Sequence, residues 1–341
     1  MECSICPYNI NSRNESGTGC GENVCINEQI LNENEQFYEE NVSKFNVLSL
    51  FDGISCGRVA LERAKIPVNK YYASEIDRYA IQVTQDNYPD TIQLGDVTKW
   101  REWDIDWGSI DLLIGGSPCQ GFSNAGKGLN FDDPRSALFF VFVDILNHIR
   151  NVNPNVKFLL ENVKMKKEWV NVITEYLGVE PVEINSSLLS AQNRARMYWT
   201  NIAKIPQPTD KNIYLQDILE NIQQEEQVGK FKNCVRKNVV KQLDQVLNSS
   251  KIIYQLNCDS GWQDNRIGII KAPTLRAGNS FCLVKTLCNK IRTITPVEAE
   301  RLQTLPDNYT ASISSAQRYK CLGNGWTVDV IAHIFNSLKG E

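Results

Sequence analysis

Ile114–Ser123 reads IGGSPCQGFS, and it follows an apolar run from Ile110 to Ile114 interrupted only by Asp111. A short apolar run ending in glycines is the pattern of a buried parallel strand passing into a loop. Pro118 fixes the backbone immediately before Cys119. A residue at the carboxyl end of a strand in an open α/β sheet stands where such sheets bind ligands. A glycine-containing loop then continues to about Phe131. Taken alone, Cys119 reads equally as a small buried side chain beside a tight turn, because a reactive thiol needs a named activating environment.

Working outward, Val47, Leu48, Leu50 and Phe51 form an apolar run, broken by Asp52, Gly53, Ser55 and Gly57 and followed at helical spacing by Val59, Leu61 and Ala64. The pattern is strand, turn, helix. A second strand is expected at Tyr71–Ser74, ending in Glu75 and Asp77, with a helix from Arg78 to Asn87 and then Leu94-Gly-Asp96. Beyond the Cys119 loop, a helix is expected at Ser136–Arg150 and a strand at Lys157–Leu160, which ends in Glu161-Asn-Val163. Strands alternating with helices predict an α/β fold, a doubly wound and mostly parallel sheet covered on both faces. Past Pro206 the alternation weakens. Helical stretches at Tyr214–Ile222 and Val239–Leu247 sit among short strands and loops, and helices return at Pro296–Leu302 and Thr327–Leu338. The boundaries expected are 1–45, 46–199, 200–290 and 291–341.

The chain has 341 residues, 42% of them hydrophobic, enough for one large α/β domain with a second lobe. No apolar run is long enough to span a bilayer, and Met1–Ile10 does not read as a signal peptide, so an intracellular chain without membrane partners is expected. The net charge of −4 argues against indiscriminate nucleic-acid binding. It is unevenly spread. Residues 190–300 carry 16 Lys/Arg against 10 Asp/Glu, whereas residues 1–45 carry 2 against 8. That asymmetry suggests one surface facing a polyanion. Only two histidines occur, His148 and His333, which disfavours a histidine triad. Among 11 cysteines, Cys3, Cys6, Cys20 and Cys25 are spaced C-x2-C-x13-C-x4-C around a glycine-rich loop. The spacing suits a structural, tetrahedral zinc, and a Cys-containing tail without metal is the alternative.

The turn Phe51-Asp-Gly-Ile-Ser-Cys-Gly57 does not match the glycine fingerprint of dinucleotide sites. A nucleoside cofactor without a pyrophosphate suits it better. Such a cofactor needs close backbone approach at Gly53, an acid for the ribose at Glu75, and a carboxylate for the adenine edge at Asp96. Three further features fall at or near strand ends: Cys119, Glu161 and Gln192-Asn-Arg194-Ala-Arg196. A thiol, a carboxyl and a guanidinium together suit addition to an electron-poor heteroaromatic ring, with the acid at a ring nitrogen and the arginine at a carbonyl oxygen. Singly, Glu161 could cap a helix and the arginines could be surface charges.

In this order the motifs resemble those of the DNA cytosine-5 methyltransferases, of the bacterial and phage type with features similar to the animal de novo enzymes. The resemblance covers most of Asn46–Lys339. Ser117-Pro-Cys-Gln120 is similar to the nucleophile motif, Glu161-Asn-Val163 to the acid motif, and Gln192-x-Arg194-x-Arg196 to the base-binding arginine motif. Arg292-x-Ile-Thr295-Pro296-x-Glu298 is similar to the structural motif after the variable insert, and Gly323-Asn-Gly-Trp326 to the closing motif. Ser55 and Cys56 stand where most bacterial members have two glycines. The resemblance implies the Rossmann-like fold of S-adenosylmethionine-dependent methyltransferases, with 46–199 catalytic, 200–290 recognising the target, and 291–341 returning to the catalytic domain. It implies Cys119, Glu161, Arg196 and Arg194 as catalytic residues. For S-adenosyl-L-methionine it implies Phe51, Asp52, Gly53, Ile54, Ser55, Cys56, Glu75, Asp96, Val97, Asn324, Gly325 and Trp326. It implies duplex DNA as the partner, contacted by Ser123, Gln192, Thr274 and Arg276, a monomeric enzyme, and a cytoplasmic setting, or a nuclear one in a eukaryote. Lys271–Gly278 is the expected recognition loop, the alternative being a scaffold strand whose Arg276 meets a phosphate. A tRNA cytosine-5 methyltransferase of the same fold, or a non-catalytic DNA-binding module, are the rival readings.

Overall fold

A computed structural model describes residues 44–118, 134–221, 255–258, 267–268, 270–277, 281–285 and 291–340. In chain order the strands and helices are β1 (Phe45–Leu50), α1 (Cys56–Arg63), β2 (Val68–Ser74), α2 (Arg78–Asn87), β3 (Ile92–Gln93), β4 (Leu112–Gly115), α3 (Pro134–Val152), β5 (Lys157–Val163), α4 (Lys167–Leu177), β6 (Val182–Asn185) and β7 (Ala195–Thr200). They continue with α5 (Leu215–Ile218), β8 (Gln255–Cys258), β9 (Ile267–Gly268), β10 (Phe281–Lys285), β11 (Ile291–Thr293), α6 (Pro296–Leu302), α7 (Ser315–Asn324) and α8 (Val328–Phe335).

The two-residue period of a strand sorts its side chains between two cores. Val47, Leu112, Ile114 and Leu159 pack on one face, with Val59, Leu61, Ile331 and Phe335 from α1 and α8. Leu48, Leu50, Leu113, Phe158 and Leu160 pack on the other, with Phe139, Phe142 and Ile145 from α3 and Ile173 from α4. Strands buried on both faces read as continuous apolar runs, which is why they were visible in the sequence. The sheet order is β3-β2-β1-β4-β5-β7-β6. The first five strands are parallel, while β7 runs antiparallel to both β5 and β6. The chain turns one way from β1 to β2 and β3, then crosses back to β4 on the other side of β1. That reversal opens a crevice at the carboxyl ends of β1 and β4.

The elements the sequence did not announce have diluted patterns. β6 has four residues with only Ile184 buried, and α7 buries only Cys321, Leu322 and Gly323. The helix expected at Tyr214–Ile222 is confined to Leu215–Ile218, and the one expected at Val239–Leu247 lies outside the described residues. A separate antiparallel sheet, β11-β10-β8-β9, forms within the third expected segment and reaches the start of the fourth. Within its last strand, β11, Arg292 makes a two-pronged pair with Glu298, at 2.8 and 2.5 Å, both side chains buried. Glu298 also accepts from the Thr295 amide, closing a capping box at the start of α6. A buried, two-pronged pair specifies one geometry for the chain's return to the main sheet, although Arg292 Nε is itself buried without a partner among the described residues. No helix among the described residues is long and apolar enough to cross a membrane.

Candidate active site

The crevice has a volume of about 420 Å³. Its floor begins at the turn after β1, where Phe51, Gly53 and Ser55 all take left-handed backbone, with φ of 57°, 60° and 56°. For a residue with a Cβ that conformation costs roughly 1–2 kcal/mol. At Ser55, where the resemblance expects glycine, local bonds offset the cost. The hydroxyl donates to Asp52 Oδ2 at 2.5 Å and meets Thr84 Oγ1 at 3.0 Å. Tyr71 donates to the other Asp52 oxygen at 2.8 Å. Burial pushes the Asp52 carboxyl up to about 6 in spite of these donors. Glu75, at the end of β2, accepts from the Gly53 amide at 2.8 Å on one oxygen and from the Ile76 and Asp77 amides at 2.8 and 2.9 Å on the other. This acid therefore locks the turn to the neighbouring strand.

Of the residues expected at a cofactor, Phe51, Asp52, Gly53, Ile54, Cys56, Glu75, Asp96, Val97, Asn324, Gly325 and Trp326 all line the crevice, while Ser55 lies buried behind it. Asp96 accepts from the Thr98 amide and hydroxyl, and these bonds hold its carboxyl below the usual range. Burial pushes the Cys56 thiol up to about 12, so it stays protonated. The crevice also contains Ser117 and Asn162 from the quoted motifs, and residues outside them: Ile76, 76% exposed, with Asp77, Leu138 and Cys321. An exposed large apolar side chain beside Glu75 is a signal that composition alone does not give.

Glu161 and Arg196 face each other inside the crevice, Arg196 Nε donating to Glu161 Oε1 at 2.8 Å. They approach because β5 and β7 are antiparallel neighbours, with Glu161 opposite Tyr198 and Val163 opposite Arg196. Trp326 donates its indole N–H to the second oxygen of Glu161 at 3.1 Å. Next to Glu161, the buried Asn162 donates to Ser117 Oγ at 3.2 Å, tying β5 to the strand end that leads through Pro118. Arg194 also lines the crevice, but its guanidinium is spent on main-chain carbonyls: Leu275 at 3.0 Å, Gly323 at 3.3 Å and Gly325 at 2.9 Å. It is 4% exposed, and burial pulls its pKa down, while the three carbonyls provide the compensating partners.

Of the residues expected at DNA, the described ones, Gln192, Thr274 and Arg276, do not line the crevice. Gln192 is fully buried, donating to the Leu302 carbonyl and accepting from the Leu275 amide at 2.7 Å. Thr274 gives its hydroxyl to the Asn193 carbonyl at 2.6 Å. Lys271 donates to the carbonyls of Ser187, Ser190 and Ile213. The backbone of Arg276 passes directly over Gly323, where an added Cβ would lie 2.2 Å from the Arg276 carbonyl carbon. Cys119, Ser123, the loop to Phe131 and Cys3, Cys6, Cys20 and Cys25 lie outside the described residues. Among the described residues, no group of His, Cys, Asp and Glu is arranged to hold a metal ion.

The model of the C-5 cytosine-specific DNA methylase family matches residues 45–340. The chain is 32% identical over 321 residues to the type II methyltransferase M1.ScrFI of Lactococcus lactis subsp. cremoris, covering 86% of this chain and 78% of the relative. It is 31% identical over 312 residues to M.NlaX of Neisseria lactamica, covering 86% and 96%. Among solved structures, the methyltransferase EhMeth of Entamoeba histolytica superposes with a TM-score of 0.57 at 19% identity, over 87% of this chain and 99% of that one, a likeness of fold. The family match spans both the crevice and the segments that close it, and the chain belongs to the C-5 cytosine-specific DNA methylases.

Proposed function

We propose that the crevice binds S-adenosylmethionine, and that the enzyme methylates C5 of a cytosine flipped out of duplex DNA while Cys119 is covalently bound to C6. The observation that carries this reading is the Glu161–Arg196 pair, set inside a nucleoside-sized crevice whose wall includes Ser117 and Pro118, immediately before Cys119.

The crevice suits the cofactor. Its volume lies in the range of small-molecule sites. Glu75 would accept from the ribose hydroxyls, Asp96 would meet the adenine amine, and Ile76 offers an apolar face to the base. The left-handed turn at Phe51–Ser55 brings main chain to the crevice wall, where Gly53 leaves room for close approach. When bound, the cofactor supplies an electrophilic methyl group.

The chain's own residues make C5 nucleophilic. A cytosine inside the stack cannot be reached, so it must leave the duplex. The Cys119 thiolate adds to C6 and the ring electrons move towards C5. Glu161 engages N3 and the exocyclic amine, and Arg196 binds the O2 that gains charge. After methylation, loss of the C5 proton re-forms the ring double bond and expels the thiolate. The loop from Gly121 to Phe131 would close over the base. Recognition of the target is assigned to 200–290, with Arg276 as the proposed reader. Gln192 and Arg194 then act by holding this segment and Gly325 to β7, and the Thr274 hydroxyl holds the segment to Asn193.

The test is duplex DNA carrying 5-fluorocytosine, whose C5 holds no proton to lose. The wild type should form a covalent adduct and Cys119→Ser should not. An adduct of equal yield with Cys119→Ser overturns the assignment. Tritiated-methyl transfer to duplex DNA but not to tRNA is expected, and the reverse preference would move the substrate to RNA.

A further inference from the structure

Glu161 has a donor on each oxygen, and only one of them belongs to the motifs that the reaction uses. Arg196 Nε holds Oε1 at 2.8 Å, and the indole N–H of Trp326 holds Oε2 at 3.1 Å. The indole comes from the segment between α7 and α8, 165 residues further along the chain. Gly116 makes room for it, and Gly57 lies at contact distance on its other side. A Cβ on Gly116 would stand 2.9 Å from Trp326 Nε1 and 3.1 Å from Glu161 Oε2, and one on Gly57 would stand 3.5 Å from Trp326 Cζ3. The ring is thus held between the backbone after β4 and the first turn of α1, with its single donor aimed at the carboxyl.

We infer that Trp326 is a positioning residue for Glu161: its N–H fixes the carboxyl while Arg196 moves to the target base. The inference rests on the acid and arginine roles proposed above. In that reaction Arg196 leaves Oε1 for the carbonyl oxygen of the base. Rotation about the last bond of a glutamate is soft, so a carboxyl held by Arg196 alone would lose its orientation at the moment it is needed. The indole is a neutral donor that can accept nothing, so the exocyclic amine of the base finds no acceptor in it and must turn to Glu161. With Trp326 on Oε2, the released Oε1 carries the proton and donates it to N3 as the thiolate adds to C6, and Oε2 keeps a second lone pair to accept from the exocyclic amine. Because the same ring lines the cofactor crevice, one side chain connects the acid to the space where the methyl donor would sit.

Trp326→Phe keeps an aromatic wall and removes the N–H. Single-turnover transfer of tritiated methyl to duplex DNA, together with calorimetric titration with S-adenosylhomocysteine, separates positioning from cofactor binding. Trp326→Phe should bind S-adenosylhomocysteine within about threefold of the wild type, which also reports that it is folded. It should transfer methyl at least about tenfold more slowly, the pattern of a bond that matters in the transition state. A rate within about twofold of the wild type, or a rate loss matched by an equal loss of S-adenosylhomocysteine affinity, overturns the inference. Glu161→Ala in the same assay tests the reading beneath it. If that variant transfers methyl at the wild-type rate, the acid assignment itself falls. If it is slow while Trp326→Phe is fast, only the positioning role falls.

Discussion

Asp52→Asn should make the protein more stable above neutrality and leave it nearly unchanged in acid. Burial raises the Asp52 carboxyl from 3.8 to about 6, with Ser55 and Tyr71 opposing the shift. At 1.36 kcal/mol per pK unit the shift corresponds to a ceiling of about 3 kcal/mol. Asp52 sits on the crevice wall and is only partly buried, so about half of that is a reasonable expectation. The sign follows from proton counting. Below 3.8 both the folded and unfolded chains carry the proton. Between 3.8 and about 6 the unfolded chain ionises first, so the folded state binds more protons and stability falls as pH rises. Above about 6 the penalty is complete and constant. Asparagine escapes it, because its carbonyl can still accept from Tyr71 and its amide can donate to Ser55 Oγ. Urea unfolding of the wild type and Asp52→Asn at pH 4, 5, 6 and 7.5 should show the mutant's advantage growing by about 1–2 kcal/mol across that range. An advantage that stays flat or shrinks as pH rises would refute the argument that an ionised Asp52 is held there against its solvation.

Gly323→Ala tests the packing of the backbone at Arg276 and Ala277 on α7. Alanine gains up to about 1 kcal/mol of helix propensity, but its methyl would lie 2.2–2.5 Å from the backbone of Arg276 and Ala277, and overpacking against main chain costs roughly 1–3 kcal/mol or more. Net destabilisation is expected by thermal unfolding, together with weaker S-adenosylhomocysteine binding; a variant as stable as the wild type would sink that contact. Arg276→Ala should cost roughly 1–3 kcal/mol and relax the methylated sequence at one position if Arg276 reads a base edge. Bisulfite profiles at two salt concentrations check this, since a phosphate contact would instead weaken all sites evenly and make the salt dependence shallower.

The parts of the fold legible in the sequence are those where burial on two faces forces apolar runs, as in Leu112–Ile114, Phe158–Leu160 and Val47–Leu50, the last broken only by the buried Ser49. The part of the crevice wall formed by the turn after β1 and the ends of β2 and β3 was legible for a related reason. Its residues are local to one turn or one strand end, so Phe51–Cys56, Glu75 and Asp96 could be read in place. Arg194 and Gln192 were legible as a motif but not in their contacts. Their spacing just before β7 says nothing of the carbonyls of Leu275, Leu302, Gly323 and Gly325, which arrive from about 80 to 130 residues away. The bond between Trp326 and Glu161 is hidden in the same way, because tertiary geometry alone makes it.

The pairing of α1 with α8 has a consequence for how the chain is made. These helices pack on one another, and Arg63 at the end of α1 is paired with Asp329 in the first turn of α8, 266 residues later. During synthesis at roughly 5–20 residues per second, that separation amounts to about 13–50 s. Late in that interval Val47, Leu112, Ile114 and Leu159 have been synthesised while Ile331, Ile334 and Phe335, which cover the same face, have not. Half the sheet's apolar surface waits for its cover, and a nascent chain arrested before Val328 should be a substrate for holding chaperones and a seed for aggregation, whereas release of the finished chain should end both.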